Sequence, residues 1–245
     1  MRCVSCVRAA AVAAAASLVY CVCIPVGPAA AGDDGTRLLL FSGADVWRDG
    51  QFAHGGLLWS LNRLDREGFT LKAMISGGRY RYQSGAFGNA WVNGTEENLQ
   101  LLPGWRFKHD RFELKVLAGL DVKHGATWPD DPDNRLRGTH VGLRVSGDLW
   151  YEPTSTTMLA ADASLTSIAA DYSARLAYGW RVNDWFYLGP EMQTFACDGY
   201  SQFRFGLHVT ALRTGGWEWS AAAGWADDSD RRSGGYLRLG VLTRR

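Results

Sequence analysis

Residues 112–123 read FELKVLAGLDVK, a stretch in which apolar and polar or small side chains alternate. The apolar side of this alternation consists of Phe112, Leu114, Val116, Ala118, Leu120 and Val122. The other side includes Glu113, Lys115, Gly119, Asp121 and Lys123. Because successive side chains of a strand point to opposite faces, this pattern predicts a β-strand with one apolar and one polar face.

The same alternation recurs along the rest of the chain and predicts twelve strands. They cover residues 37–47, 52–63, 69–82, 95–107, 112–124, 139–151, 156–166, 172–181, 185–196, 202–212, 217–226 and 235–243. Short turns alternate with connections that include three long polar ones, at 83–94, 125–138 and 227–234. The chain is therefore predicted to be all-β, a single antiparallel up-and-down transmembrane β-barrel of about 12 strands with short periplasmic turns and longer external loops.

Aromatic residues cluster towards both ends of the predicted strands, as in the interfacial girdles of membrane barrels. Near the short turns lie Phe69, Trp105, Phe107, Phe112, Trp150, Tyr151, Trp180, Trp185, Phe186, Trp217 and Trp219. Near the loops lie Trp47, Phe52, Tyr80, Tyr82, Tyr172, Phe203, Trp225 and Tyr236. These bands favour a lipid-facing barrel, and the alternative is a soluble secreted barrel or sandwich with its apolar face inside.

The first 31 residues have the pattern of a cleaved Sec signal peptide, which leaves residues 32–245 as the barrel and predicts an outer-membrane location. Arg2 and Arg8 precede an apolar run at 9–26, and three alanines at 29–31 form a small-residue cleavage signal. A retained membrane anchor is the alternative. Later apolar runs are far shorter than the roughly 20 residues that a spanning helix needs. Four of five cysteines lie in this segment, so Cys197 has no predicted disulfide partner.

Charge and motif content argue against several functional classes. The chain carries 26 Lys plus Arg and 25 Asp plus Glu, interspersed, which does not indicate a nucleic-acid partner. The five histidines show no metal-binding spacing, and no cofactor motif is present, so we predict no catalytic, metal or cofactor site. The pairs His54 with Ser60, and His208 with Ser220 near Glu218, keep open a lipid-modifying barrel enzyme of the deacylase or esterase type.

If the apolar face meets lipid, the polar face forms a lumen with charges of both signs. The predicted lumen charges are Glu113, Lys115, Asp121, Arg144, Asp148, Arg175 and Arg204, together with Lys72, Arg106, Lys123, Arg181, Glu191 and Glu218. One interpretation is a structural network of ion pairs. The other is a polar conduit or a binding cavity for an uncharged hydrophilic chain.

Residues 42–62 read SGADVWRDGQFAHGGLLWSLN, and this segment resembles the start of the bacterial cellulose biosynthesis protein BcsS family. That family has a Gly-x-Asp-x-Trp element, a short turn and a Gly-containing strand ending in Leu-Asn. The matching positions here are Gly43, Asp45, Trp47, Gly50, Leu61 and Asn62. Further short matches lie at 68–69, 102–105 and 188–191. We expect Gly50 to form a tight turn and Trp47 to anchor the barrel at the membrane interface.

The resemblance implies an outer-membrane-like barrel connected with cellulose production in a Gram-negative bacterium, and it carries over no catalytic residue. Combined with the barrel prediction, it suggests a non-enzymatic protein that assists secretion or surface anchoring of cellulose. Its partners would be outer-membrane lipid, the cellulose chain and components of the synthase complex. The aromatic residues expected to contact glucan are Tyr80, Tyr82, Trp91 and Trp128. A passive structural barrel is a further alternative.

Overall fold

The computed structural model of the protein describes residues 35–245, so the predicted signal peptide lies outside the described residues. Twelve antiparallel strands pair with their neighbours in chain order, and β1 pairs with β12 to close the barrel. The strands are β1 (Leu38–Trp47), β2 (Gly50–Ser60), β3 (Gly68–Ser84), β4 (Ala90–His109), β5 (Phe112–Trp128), β6 (Gly138–Tyr151), β7 (Thr157–Thr166), β8 (Tyr172–Val182), β9 (Phe186–Cys197), β10 (Tyr200–Thr214), β11 (Trp217–Asp228) and β12 (Ser233–Arg244). The predicted fold class is confirmed.

The apolar face of the strands points outward. On β5, Val116 and Leu120 are 45% and 44% exposed, whereas the inward-facing Leu117 and Asp121 are fully buried. An apolar outer surface around a polar interior is the arrangement of a barrel that spans a lipid bilayer. The soluble alternative, which requires the apolar face inside, is therefore wrong.

The β3–β4 hairpin is longer than the sequence pattern predicted. The expected loop at 83–94 is mostly strand, because the alternation continues from Ala90 and only a short 3-10 turn, Gly85–Phe87, separates the two strands. Ser84 caps this turn by accepting a hydrogen bond from the backbone N–H of Ala86 at 3.2 Å. Strands β3, β4 and β5 contain 17, 20 and 17 residues, more than the roughly 9–11 that cross a bilayer, so they form a wall beyond the barrel rim.

The two predicted aromatic girdles differ in outcome. At the short-turn end most of the predicted aromatic residues face outward, including Trp105, Trp180, Trp185, Trp217 and Trp219. At the loop end, five of the eight predicted girdle residues turn inward instead: Trp47, Phe52, Tyr80, Tyr82 and Tyr236. The prediction for these five is wrong because it used their distance from the loops and not their parity, and parity decides which face a strand residue occupies.

Among residues 35–245, no helix is long and apolar enough to cross a membrane, a finding that does not bear on crossing by strands.

Candidate functional site

A cavity of about 600 Å³ opens at the loop end of the barrel, and we call it the vestibule. Its walls come from β1–β6 and β8–β10 and from the loops at 129–137, 167–171 and 229–232. The extended β3–β5 wall gives the vestibule its depth on one side. The barrel therefore carries a sheltered space at the end with the longer loops, which in membrane barrels is the external end.

A row of six aromatic rings lines the vestibule. In order they are Tyr200, Phe195, Trp47, Phe52, Tyr80 and Tyr82, with neighbouring ring centres 5.6–6.5 Å apart. In the middle of the row the Trp47 and Phe52 rings stack, with their planes inclined by only 7°. The row therefore presents a continuous apolar strip along a polar cavity.

The segment that resembles the cellulose biosynthesis family forms part of this row. Asp45 and Trp47 occupy alternate, inward positions of β1, and Phe52 lies opposite Asp45 on β2. Gly50 lies opposite Trp47, and a Cβ added there would lie 2.5 Å from the indole ring, so glycine lets that ring lie against the backbone. The expected role of Trp47 as an interfacial anchor is wrong, because its ring faces the vestibule.

The other motif positions have structural contacts of their own. Gly43 is on β1, opposite His54. Leu61 is 55% exposed, and Asn62 donates a 2.9 Å hydrogen bond to the Glu67 carbonyl in the β2–β3 turn. These contacts place the Leu-Asn end of the motif at the short-turn rim and not in the vestibule.

Arg204 is a fully buried cation in the vestibule wall. Its Nη1 donates to both carboxylate oxygens of Asp45, at 2.8 and 2.7 Å, and its Nε donates to Gln202 at 2.5 Å. Its guanidinium lies 4.7, 5.1 and 5.2 Å from three ring centres, those of Trp47, Phe195 and Tyr236. Charge pairing and cation–π contact together fix this guanidinium and the two vestibule rings beside it.

A loop contact fixes the far end of the aromatic row. The Tyr82 hydroxyl donates to Asp131 at 2.7 Å and accepts from Asn134 Nδ2 at 3.0 Å, both in the β5–β6 loop. Burial alone would raise the pKa of Asp131, but hydrogen bonds from Tyr82, Ser84 and the Asp133 backbone N–H hold this pKa below its usual range. The Asp131 carboxylate is thus ionised at neutral pH and able to hold Tyr82 in place.

The polar part of the vestibule combines paired and unpaired groups. Lys123 forms ion pairs with Asp171 and, at 3.4 Å, with Glu96. Four vestibule residues each have one buried polar atom without a hydrogen-bond partner: Arg204 Nη2, Arg232 Nη1, Gln193 Oε1 and Asp171 Oδ1. Two of these atoms are donors and two are acceptors. The vestibule therefore offers unused hydrogen-bonding capacity of both kinds.

The charges predicted from the sequence for the lumen all lie in ion pairs. Glu113 pairs with Lys115 at 3.0 Å, Asp121 with Arg144 at 2.9 Å, and Arg175 with Asp162 at 2.6 Å. Other pairs join strands three positions apart in the sheet: Lys72 with Asp148 at 4.0 Å, Arg238 with Glu191 at 2.5 Å, and Arg204 with Asp45. Each of these last pairs spans a quarter of the twelve-strand circle, so its side chains project into the lumen and narrow it.

A packed layer fills the lumen on the β6–β10 side near the short turns. It consists of Met158, Ala160, Ala177 and Tyr187, all buried, with Trp150 and Ala211 against them. A Cβ added at Gly179 would lie 3.0–3.3 Å from Tyr187, His208 and Met158, which shows how closely this layer is packed. Trp150 belongs to this layer and not to the girdle predicted for it.

The four aromatic residues expected to contact glucan separate into two pairs. Tyr80 and Tyr82 line the vestibule. Trp91 and Trp128 lie on the outward face of the β3–β5 wall, where they are 43% and 78% exposed, and they are not in the vestibule lining. The sequence also missed Phe195 and Tyr200, which complete the row from β9 and β10.

The two serine and histidine pairs are not assembled in the structure. His54 and Ser60 share a face of β2 but lie six residues apart, which is about 20 Å along a strand. The two ring nitrogens of His208 contact Thr210 Oγ1 at 2.9 Å and the Tyr178 carbonyl at 3.2 Å, so neither contacts Ser220. Within residues 35–245, no three His, Cys, Asp or Glu side chains are grouped to hold a metal ion.

Comparison with known proteins identifies a family. The family model described as cellulose biosynthesis protein BcsS matches residues 39–245, which is nearly the whole barrel. No curated protein sequence matches the chain significantly.

Solved structures with a similar fold are outer-membrane proteins. An outer-membrane channel from Pseudomonas putida F1 aligns with a TM-score of 0.54 at 13% identity, covering 90% of this chain and 100% of the channel. The KdgM porin in complex with disordered oligogalacturonate aligns at 0.49 and 14% identity, covering 84% and 98%. The translocator domain of the autotransporter NalP from Neisseria meningitidis aligns at 0.48 and 14% identity, covering 87% and 90%. At these identities the channel supports the fold alone.

Proposed function

The chain belongs to the family of the cellulose biosynthesis protein BcsS, and from this premise we propose that it is a non-enzymatic outer-membrane barrel that anchors cellulose at the cell surface. In this proposal a segment of the glucan chain binds along the aromatic row of the vestibule. Export through the Sec pathway and contact with the cellulose machinery belong to the same proposal. The observation that carries it is the six-ring row in a polar, outward-opening cavity.

The aromatic row matches the shape and chemistry of a β-glucan. Pyranose rings present C–H groups on both faces, and these groups interact favourably with the electron-rich face of an aromatic ring. The stacked pair of Trp47 and Phe52 offers such faces in sequence with Tyr80. Arg204 fixes Trp47 and Phe195 within the row and Asp131 fixes Tyr82 at its end, so little conformational entropy would be lost on binding.

The polar groups of the vestibule favour an uncharged, hydroxyl-rich ligand. Each sugar hydroxyl is both a donor and an acceptor, which suits the unpaired atoms of Arg204, Gln193 and Asp171. The lining contains eight acidic and five basic residues, and this acidic excess disfavours an anionic polysaccharide. Glucan carries no charge and avoids that penalty.

The narrowed and partly filled lumen favours anchoring over secretion. In a glucan conduit, the ion pairs that narrow the lumen and the packed layer around Met158 would have to open. Removing one partner of a buried pair typically costs about 3–5 kcal/mol, so such an opening is unfavourable without an external driving force. Binding in the vestibule needs no such rearrangement.

The test compares strains that carry the wild-type gene, a deletion, Trp47→Ala, or Trp217→Ala as an outward-facing control near the short turns. Cell-attached and released cellulose are measured separately. Anchoring predicts that deletion and Trp47→Ala transfer cellulose from the attached to the released fraction while the total stays constant, and that Trp217→Ala behaves as wild type.

Two other outcomes would count against the proposal. If deletion lowers the total while synthase activity in membranes persists, the barrel acts in secretion. If attached cellulose is unchanged in the deletion strain, neither role holds. Immunoblots of outer-membrane fractions establish that each variant is present at the wild-type level.

A further inference from the structure

The outward face of the β3–β5 wall carries a group of arginines, of which only Arg81 also borders the vestibule. Arg79 and Arg81 occupy alternate positions of β3. Arg48, in the β1–β2 turn, shares Asp49 with Arg81 and donates to the Ser233 carbonyl at 3.2 Å. We call these three residues the outer basic patch. Trp91 and Trp128 flank the patch on β4 and β5.

The height of the patch coincides with the outer edge of the apolar band. Arg79 lies ten residues beyond Phe69, which is level with Trp105 in the short-turn girdle. At about 3.3 Å per residue and a tilt of about 40°, ten residues rise about 25 Å, the height of the apolar band of a membrane barrel. The outward side chains between Phe69 and Arg79 are uncharged: Leu71, Ala73, Ile75 and Gly77.

The patch has more positive charge than its partners neutralise. Asp49 pairs with Arg81 at 2.8 Å and lies 3.6 Å from Arg48, so one carboxylate serves two of the three arginines. No ion pair within the described part of the chain includes Arg79. With the Gln51 amide oriented to accept, Arg79 Nη2 lies 2.7 Å from its oxygen, a neutral partner. The formal charge of the three arginines and Asp49 is therefore +2.

A second acid on this surface forms no ion pair with Arg79. Glu97 faces outward opposite Gly77, one step lower on the wall, and it forms no ion pair among the described residues. Arg81 is also held over Trp91, with its guanidinium 4.8 Å from the ring centre, which fixes its orientation. A preorganised pair of guanidinium groups beside exposed indoles is suited to a phosphate group at a membrane interface.

We propose that the outer basic patch binds the phosphate groups of the glycolipid in the outer leaflet, the lipid A part of lipopolysaccharide. The assignment to this leaflet follows from the position of the patch at the loop end, which is external in membrane barrels. Guanidinium groups bind phosphate through paired, charge-assisted hydrogen bonds. Bound glycolipid would fix the orientation of the extended wall, and hence of the vestibule, relative to the membrane surface.

The test titrates the purified barrel in detergent micelles with diphosphoryl lipid A and counts bound lipid by native mass spectrometry. The variants are Arg79→Gln, Arg79→Lys, and Arg213→Gln as a control on the opposite rim. We expect Arg79→Gln to weaken lipid A binding about tenfold. Arg79→Lys should weaken it much less, because lysine keeps the positive charge. Arg213→Gln should bind as wild type.

Three results would overturn the inference: unchanged lipid A binding in Arg79→Gln, equal binding of dephosphorylated lipid A, or equal binding of phosphatidylglycerol. Inorganic phosphate serves as a competitor, and full displacement of lipid A by it at millimolar concentration would indicate a simple anion site. Arg79 is outside the vestibule lining, so Arg79→Gln should retain glucan binding. If the wild-type barrel does not bind glucan, the proposed function fails, but the lipid A titration still tests the outer basic patch.

Discussion

Replacement of Arg204 by methionine is the most informative perturbation of the vestibule wall. The change removes the two hydrogen bonds from Nη1 to the Asp45 carboxylate, at 2.8 and 2.7 Å, and the donation to Gln202. It also removes the positive charge from the faces of Trp47, Phe195 and Tyr236. Methionine keeps much of the volume, so the effect reports the charge and its hydrogen bonds.

The magnitude follows from the burial of the pair. Breaking a buried ion pair costs about 3–5 kcal/mol. The Asp45 side chain is 19% exposed and would recover part of its hydration from the vestibule, so we take the lower end, about 3 kcal/mol. For a chain of this size, that loss corresponds to a decrease in Tm of about 10 °C.

The assay is thermal unfolding in detergent micelles, followed by tryptophan fluorescence and by electrophoretic mobility with and without heating. The double variant Asp45→Asn with Arg204→Met should recover part of the loss, because it leaves no unpaired buried charge. Arg213→Met is the control, since its pair with Glu218 is on the surface and its side chain is 75% exposed. A loss below about 1 kcal/mol for Arg204→Met, or simple additivity in the double variant, would refute the reasoning.

Three further predictions concern the loop, the packed layer and a lumen pair. Tyr82→Phe should destabilise the barrel at pH 7 but not well below pH 3.8. The pKa of Asp131 is lowered in the folded barrel, so its ionised carboxylate stabilises the fold above pH 3.8 and this stabilisation is lost as the pH falls further and the carboxylate is protonated. The free energy of unfolding of the variant and the wild type, measured at both pH values, tests this. Met158→Ala with Tyr187→Ala should raise single-channel conductance in planar bilayers above that of wild type, since both side chains fill the lumen; unchanged conductance would contradict the obstruction. Glu191→Ala should lower the free energy of unfolding by about 3 kcal/mol, because the buried carboxylate forms ion pairs with Arg175 and Arg238. A loss of less than about 0.5 kcal/mol, roughly the range of surface substitutions, would show that these ion pairs do not stabilise the barrel.

The sequence was sufficient for the barrel because the alternation in each strand is local information. On β5 the predicted polar positions Glu113, Lys115, Asp121 and Lys123 all face the lumen in the structure. The β3–β4 hairpin was shortened in the prediction because the polar residues at 83–94 indicated a long loop. In the structure a 3-10 turn closes the hairpin tightly, and the alternation continues on both sides.

The vestibule could be predicted only in part, because its contacts join distant segments. Tyr80 and Tyr82 are identifiable from their position beside a loop, but Phe195 joins the row only through the closure of the barrel. The partner of Arg204 is Asp45, 159 residues away in the sequence, and no spacing rule connects them. Trp47 was assigned to the wrong face because a tryptophan at a strand end has the same sequence pattern whether it faces lipid or the lumen.

The measurement that tests the central claim most directly is calorimetric titration of the purified barrel with cellohexaose, in detergent, for wild type, Trp47→Ala and Trp217→Ala. The account predicts saturable binding to wild type and to Trp217→Ala, and binding about tenfold weaker to Trp47→Ala, as expected for one lost stacking contact. Absence of cellohexaose binding to the folded wild-type barrel, or equal binding by Trp47→Ala, would contradict a glucan site on the aromatic row.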